Sequence, residues 1–281
     1  MRLPEKISSL IADEGYREDD IGMSGSSVRI YRDKVLKIQE CGEEAENEYR
    51  MMRYLKGRIP VPEVYSYDIS EGSSYLLMSK CRGQMACADG YMRDPAIQCR
   101  LLAEGLKRLW SVDISDCPSD WRLSHKLARA EYNVKKGLVD MDNVEPETFG
   151  ENGFRDPAEL LGWLYENAPE EEPVLSHGDY CLPNLFGIGE EVTGYIDLGR
   201  TGIADKWCDI ALCYRSLSYN FAGKYSPDRD SEEAGSKEKG LQEKGSEETA
   251  RMYDDMLLFR ELGIEPDWEK IRYYILLDEL F

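Results

Sequence analysis

His177-Gly178-Asp179 is followed by Asn184 and then by Asp197-Leu198-Gly199. An acid, an amide five residues on and a second acid about a dozen residues later are oxygen donors that suit one chemistry, the transfer of a phosphoryl group from a nucleotide. In that chemistry the first acid accepts or orients the proton of the attacking hydroxyl, while the amide and the second acid hold magnesium across the phosphates. Asp179 is therefore the candidate catalytic residue, and Asn184 and Asp197 are the candidate metal ligands. His177 precedes an acid that already fills the proton-accepting role, so it reads as a packed scaffold residue and not as a base.

The same parts in the same order occur in protein kinases, with two differences. Gly178 stands where the kinase His-Arg-Asp has its arginine, and Asp-Leu-Gly replaces Asp-Phe-Gly. The arginine that engages a phosphorylated activation loop is missing, and only about a dozen residues separate Asn184 from Asp197. The pattern points to a kinase of a small molecule.

Elements that position these groups are visible upstream. Val28 to Tyr31 and Val35 to Ile38 are β-prone runs separated by three polar residues, the form of a hairpin. The small-residue turn Gly22 to Ser27 lies just before it, and the backbone of Ser24 and Gly25 could approach a polyphosphate there. By itself this turn is a weak signal. Lys37, at the end of Val35-Leu36-Lys37, can aim one ammonium at the α- and β-phosphates. Glu43 to Leu55 is helix-forming, with Tyr49, Met52 and Leu55 at helical spacing. Glu48 on that helix is the candidate partner that holds Lys37 extended, with Glu43, Glu44 and Glu46 competing for the role. Pro60-Val61-Pro62 closes this segment and starts an extended one. Tyr75 to Met78 is an apolar strand that turns polar at Ser79-Lys80-Cys81-Arg82-Gly83, the form of an interlobe hinge. Adenine is expected to meet the backbone of Ser79 and Cys81 behind Met78, and Ile196 is a further candidate nucleotide-binding residue.

Beyond the hinge the chain reads as helical. Ile97, Leu101, Leu102, Leu106, Leu109 and Trp110 form one apolar stripe, and Leu123, Leu127, Val134 and Leu138 a second, all taken as core. Pro157 to Leu164 is a short helix capped by Asp156. Val174-Leu175-Ser176 leads into the catalytic loop, and Leu185 to Ile188 with Val192 to Ile196 form a hairpin ending at Asp197.

With 281 residues the chain can bury a sizeable core and suits one bilobal unit or two modest domains. The formal charge of −20 opposes nucleic acid and favours a cationic partner. No apolar run approaches a membrane span, and Met1-Arg2-Leu3-Pro4-Glu5-Lys6 reaches acid and base too soon for a signal peptide, so a cytoplasmic protein without a membrane partner is expected. Eight cysteines lie without a Cys-x-x-Cys pair, which predicts reduced thiols.

The run Ser176 to Asn184, then Gly194 to Arg200, then Ala204 to Ala211 resembles the aminoglycoside phosphotransferases, and among them the 3′-specific kanamycin and neomycin kinases. Pro60-Val61-Pro62, Asp113 to Pro118, Arg215-Ser216 and the terminal Tyr273 to Phe281 add to the resemblance. It covers nearly the whole chain apart from an insertion over about residues 224–249, rich in Gly, Ser, Glu and Lys, which reads as a mobile loop or frayed helical extension.

The resemblance implies an α+β, protein-kinase-like bilobal fold. Its parts would be a β-sheet nucleotide-binding lobe over 1–79, a hinge over 80–83 and a mostly helical lobe over 84–281. It implies ATP and Mg²⁺ as donor and transfer of the γ-phosphoryl group to the 3′-hydroxyl of an aminoglycoside, by a monomer or weak homodimer. The antibiotic site would draw on Asp179, Arg200, Arg215, the loop acids Glu145, Glu147 and Glu151, and on Asp278, Glu279 and the Phe281 carboxylate. Tyr219 and Asn220 depart from the acids that relatives often place there, and Val35 departs from an aromatic that stacks on adenine. Two other readings compete: a kinase of another amine-bearing molecule such as a fructosamine or aminocyclitol, and a drug- or nucleotide-binding protein without turnover.

Overall fold

A computed structural model describes residues 3–12, 14–18, 26–145, 147–150, 153–221 and 254–281. Ser24, Gly25, Glu151 and the 224–249 insertion lie outside the described residues. The first lobe is built on a five-stranded antiparallel sheet of β1 (Arg17–Glu18), β2 (Ser27–Ile30), β3 (Lys34–Glu40), β4 (Val64–Ser70) and β5 (Ser73–Ser79), in the order β1-β2-β3-β5-β4. The expected hairpin is present, with Ile30 opposite Val35 and Val28 opposite Lys37.

Side chains alternate across this sheet. Leu36, Ile38, Tyr75 and Leu77 pack with Ile7 and Ile11 around helix α1 (Glu5–Leu10), while Leu76 and Met78 join the large core on the opposite face. Lys37 pairs with Leu76 across the strands. It therefore emerges on the inner face, and a slip of one residue would turn it outward.

Helix α2 (Glu43–Leu55) runs over the expected residues and buries Asn47, Glu48, Met51, Met52 and Leu55. That spacing is one helical stripe. Tyr49 is half-buried and stacks on Tyr67, with ring centroids 4.3 Å apart.

The second lobe contains β6 (Gln84–Met85), α3 (Asp89–Met92), α4 (Pro95–Trp110), α5 (Leu123–Lys136), α6 (Pro157–Glu166), β7 (Pro173–Ser176), β8 (Leu185–Ile188), β9 (Glu191–Tyr195), β10 (Gly202–Asp205), α7 (Lys206–Phe221), α8 (Leu257–Leu262) and α9 (Trp268–Asp278). β6, β8 and β9 form one small antiparallel sheet, and β7 pairs with β10 in another. Asp156 caps α6 by accepting from Glu159 N at 2.9 Å, as its sequence position predicts. The second stripe needs correction. Gly137 takes a left-handed conformation that ends α5, so Leu138 lies beyond the helix and is exposed, outside the core.

Among the described residues no helix is long and apolar enough to cross a membrane. All eight cysteines are free thiols.

Candidate active site

Lys37 is the junction of the two lobes. Its Nζ lies 2.9 Å from Glu48 Oε2 and 2.7 Å from Asp197 Oδ1, and its side chain is buried. The choice among the α2 acids is settled by geometry. Glu43 meets His125 and Arg129, Glu44 meets Arg200, Glu46 is exposed, and Glu48 faces Lys37. Burial opposes the charge on Lys37, but the carboxylates of Glu48 and Asp197 outweigh it and hold the ammonium protonated. Burial likewise pulls Asp197 upward, and Lys37 carries its net shift below the ordinary aspartate value. Asp197 itself is half-exposed and adopts φ 59°, ψ 56°, a left-handed backbone uncommon for a residue with a Cβ.

The catalytic loop leaves β7 under the control of Asp209 on α7. This fully buried carboxylate accepts from Ser176 Oγ at 3.0 Å, His177 N at 2.8 Å and Gly178 N at 2.9 Å. Burial raises its pKa, while His177 and the two backbone donors pull against that shift. His177 is completely buried, with Nε2 2.9 Å from Ile196 O and Nδ1 3.3 Å from Asp179 N. These contacts make it a brace between the catalytic loop and the strand leading to Asp197.

Gly178 explains the departure from His-Arg-Asp. Its φ is +85°, and a Cβ there would lie 2.1 Å from Arg200 O. The catalytic loop and the turn after Asp197 therefore touch at a point that admits no side chain.

Asp179 is half-buried and held through both oxygens. Cys181 Sγ donates to Oδ1 at 2.9 Å, and Asn184 Nδ2 donates to Oδ2 at 3.0 Å. Burial raises the Cys181 thiol well above its ordinary pKa, so it remains a donor. Because Asn184 uses its nitrogen on Asp179, its side-chain oxygen is the atom able to ligate a metal. The chain passes from Asn184 to β8, and Ile196 N returns to Asn184 O at 3.0 Å, which keeps the amide and Asp197 close.

Toward the hinge, Met78 is buried opposite Val35, and Ser79 ends β5. Ser79 N donates to Glu63 O at 2.8 Å. Cys81 and Ile196 are half-buried.

At the C-terminal end the expected residues cluster, but the arginines are engaged with the acids. Arg215 pairs with Asp278, and with Glu279 at 3.4 Å. Arg200 meets Glu44 at 3.1 Å and Asp278 at 3.4 Å, with its guanidinium 4.8 Å from the Phe281 ring centroid. Burial pulls Asp278 up and the two arginines pull it down further, so its pKa is lowered. Glu279 Oε2 accepts from Glu145 N at 2.9 Å, which docks the loop by its backbone. Glu147 on that loop is exposed.

Comparison with known proteins agrees with this geometry. A model described as a phosphotransferase enzyme family matches residues 17–238. The chain is 40% identical to an aminoglycoside 3′-phosphotransferase of Enterococcus faecalis, over 100% of this chain and 99% of that protein. A second, of Staphylococcus aureus, is 37% identical over the same shares. The chain belongs to the phosphotransferase enzyme family. Among solved structures, an aminoglycoside-3′-phosphotransferase of type VIII superposes with a TM-score of 0.72 at 25% identity, covering 99% of this chain and 98% of that one. The fold also matches an aminoglycoside phosphotransferase of Streptomyces rimosus with a TM-score of 0.74 at 24% identity, over 98% and 96% of the two chains. The protein-kinase-like fold expected from the sequence is upheld.

Within this family frame, several residues that the sequence left without a role bear directly on the site. Asp209 pins the loop that leads to Asp179, Cys181 donates to Asp179, and Asn47 on α2 bonds the turn after Asp197. A signal existed for Asp209, since Cys208-Asp209-Ile210-Ala211-Leu212 is an acid set in an apolar helical run and must find partners when buried. Asn220, one of the departures from the family pattern, is buried and donates to Ser216 O inside α7 at 2.9 Å.

Proposed function

We propose that this family member transfers the γ-phosphoryl group of ATP to the 3′-hydroxyl of an aminoglycoside. The observation that carries the reading is the placement of Lys37 between Glu48 and Asp197, on the metal-acid turn that packs against the loop bearing Asp179. The relatives named aminoglycoside 3′-phosphotransferase at 37–40% identity supply the substrate class. A further structural neighbour is described in complex with ADP and streptomycin.

Residues present fit Mg²⁺. The donor set is the Asp197 carboxylate and the Asn184 side-chain oxygen, and among the described residues no cluster of three or more His, Cys, Asp or Glu is placed to hold a metal. Two hard oxygen ligands suit an ion that completes its shell with phosphate oxygens and water. When bound, Mg²⁺ neutralises charge on the phosphates. Lys37 meets the α- and β-phosphates and Glu48 keeps it extended. Met78, Ser79, Cys81 and Ile196 enclose the adenine. We divide the lobes at a hinge over 80–83, because Ser79 closes one sheet and Gln84 begins another.

Asp179 receives the proton of the 3′-hydroxyl as that oxygen bonds to the γ-phosphorus. The bond from the γ-phosphorus to the β–γ bridging oxygen breaks and ADP leaves with the electron pair. Cys181 and Asn184 fix both Asp179 oxygens, so the carboxylate reaches the substrate already oriented. Asp278 and Glu279 face the amines, with Glu145 and Glu147 on the loop beside them. Arg200 and Arg215 act by holding these acids, since a guanidinium repels an ammonium. An exposed ammonium–carboxylate pair at about 4 Å is worth roughly 1 kcal/mol in water and about 4 at an effective dielectric of 20. We place the enzyme in the cytoplasm as a monomer or weak homodimer.

The test is a panel of kanamycin, neomycin, butirosin and fructosyl-lysine with ATP and Mg²⁺, followed by NMR location of the phosphate. Phosphate on the 3′-oxygen of kanamycin is expected. Preferred turnover of fructosyl-lysine, or nucleotide binding with no transfer to any of the four, would refute the proposal.

A further inference from the structure

We propose that Asn47 is a positioning residue: its buried amide clamps the turn that presents Asp197, so that one face of α2 fixes both ends of the Lys37–Asp197 ion pair. The inference rests on the nucleotide and metal reading above.

Asn47 is completely buried. Its Nδ2 donates to Gly199 O at 2.8 Å and Thr201 O at 2.9 Å, and its Oδ1 accepts from Arg50 Nη2 at 2.9 Å. Both amide hydrogens thus hold carbonyls flanking Arg200, two and four residues past Asp197. The adjacent Glu48 holds Lys37, whose other partner is Asp197. Asn47, Glu48, Lys37, Asp197 and Gly199 close a ring of contacts joining the lobes.

The turn needs such a clamp. Asp197 is a non-glycine residue in left-handed backbone, a conformation that persists when its surroundings over-determine it. Gly199 permits the close approach, because a Cβ there would lie 3.1 Å from Glu44 Cβ and 3.3 Å from Glu44 O. On the far side Thr201 Oγ1 donates to His177 O at 2.8 Å. The segment carrying Asp197 is therefore held by α2 on one side and by the catalytic loop on the other. Releasing the α2 side leaves Asp197 attached to the chain but free to turn away from the metal.

The experiment measures calorimetric binding of a non-hydrolysable ATP analogue with and without Mg²⁺, alongside thermal unfolding, for the wild type, Asn47→Ala and Arg50→Ala. Asn47→Ala is expected to bind the analogue without Mg²⁺ within about twofold of wild type and to lose about tenfold or more of the Mg²⁺-dependent gain, the scale for removing paired buried hydrogen bonds. Arg50→Ala removes only the donor to Asn47 Oδ1 and should move the same gain by about two- to fivefold. A gain equal to wild type in Asn47→Ala, whatever its melting temperature, overturns the proposal. Should that variant not fold, an unchanged gain in Arg50→Ala overturns it instead. A wild type with no Mg²⁺-dependent binding refutes the nucleotide reading itself, which separates the two failures.

Discussion

Replacing Asp209 with asparagine tests whether a charge on α7 sets the catalytic loop. The carboxylate receives two donors on Oδ1, Ser176 Oγ and Gly178 N, and one on Oδ2, His177 N. An amide of the same shape has a single acceptor oxygen. Its best orientation keeps the two Oδ1 bonds and turns NH₂ toward the His177 N–H, leaving that donor buried and unpaired. Losing a hydrogen bond to a charged acceptor is worth about 1.5–3 kcal/mol, and a stranded buried donor about 1–3. These terms overlap, so the combined loss is about 2–4 kcal/mol of stability. At roughly 2–4 °C per kcal/mol for a chain of this size, the melting temperature should fall by about 4–16 °C.

The two backbone donors immediately precede Asp179, so the loss is transmitted to the reacting carboxylate. A displacement near 1 Å lowers rate by about a hundredfold, and kcat should fall by about 10- to 100-fold. KM for ATP should change less than about threefold, since Asp209 contacts no residue assigned to the nucleotide. Differential scanning fluorimetry and steady-state kinetics with kanamycin read both quantities. A variant melting within about 1 °C of wild type with kcat within twofold would falsify the argument. It would mean that the buried carboxyl is already protonated and that the three donors are not ordered around a charge.

Gly178→Ala introduces a Cβ 2.1 Å from Arg200 O at a φ of +85°, so activity should drop at least about tenfold, the scale set by a displaced reacting group; normal kinetics would show that the loop and the metal-acid turn do not need to touch. Glu48→Gln should lower kcat/KM for ATP by about 10- to 100-fold, from loss of a charge-assisted bond, while Glu46→Gln, on the exposed side of the same helix, should leave it unchanged. Equal effects of the two substitutions reject the pairing. Asp278 carries a lowered pKa, so its contribution to stability is full above the unfolded value of about 3.9 and is lost as pH falls through the folded value. The difference in unfolding free energy between wild type and Asp278→Asn should be level from about pH 7 to 5 and narrow below about pH 4; a difference that does not narrow there excludes the arginine pairing as its source.

Local chemistry made much of the scaffold legible. The run from Glu43 to Leu55 has helical apolar spacing, acids in the first turn and a proline-rich exit, and α2 occupies those residues. Val35-Leu36-Lys37 alternates as a strand must, so the face on which Lys37 emerges follows from period two. Leu138 was misread because apolar spacing continues through Gly137, whereas the backbone does not. β10 was not anticipated, since Gly202 to Asp205 is four residues without alternation, and its pairing with β7 joins segments far apart in sequence.

The site shows the same division more sharply. The proposed oxygen donors for magnesium, Asn184 and Asp197, are recognisable because their residue types and order are dictated by the chemistry. The groups that aim them are not. Asn47 bonds backbone carbonyls 152 and 154 residues away, and Asp209 receives backbone N–H groups 32 and 31 residues away. A main-chain acceptor has no side-chain identity, so nothing at Gly199 or Thr201 announces an asparagine partner. The arginines mislead for a related reason. Arg200 and Arg215 lie in segments proposed to frame the antibiotic site, and only the fold shows their charges already matched by Glu44, Asp278 and Glu279. Counting acids in sequence therefore overstates the charge open to a polycation, because a carboxylate held by a guanidinium attracts an incoming amine with only the remainder of its field.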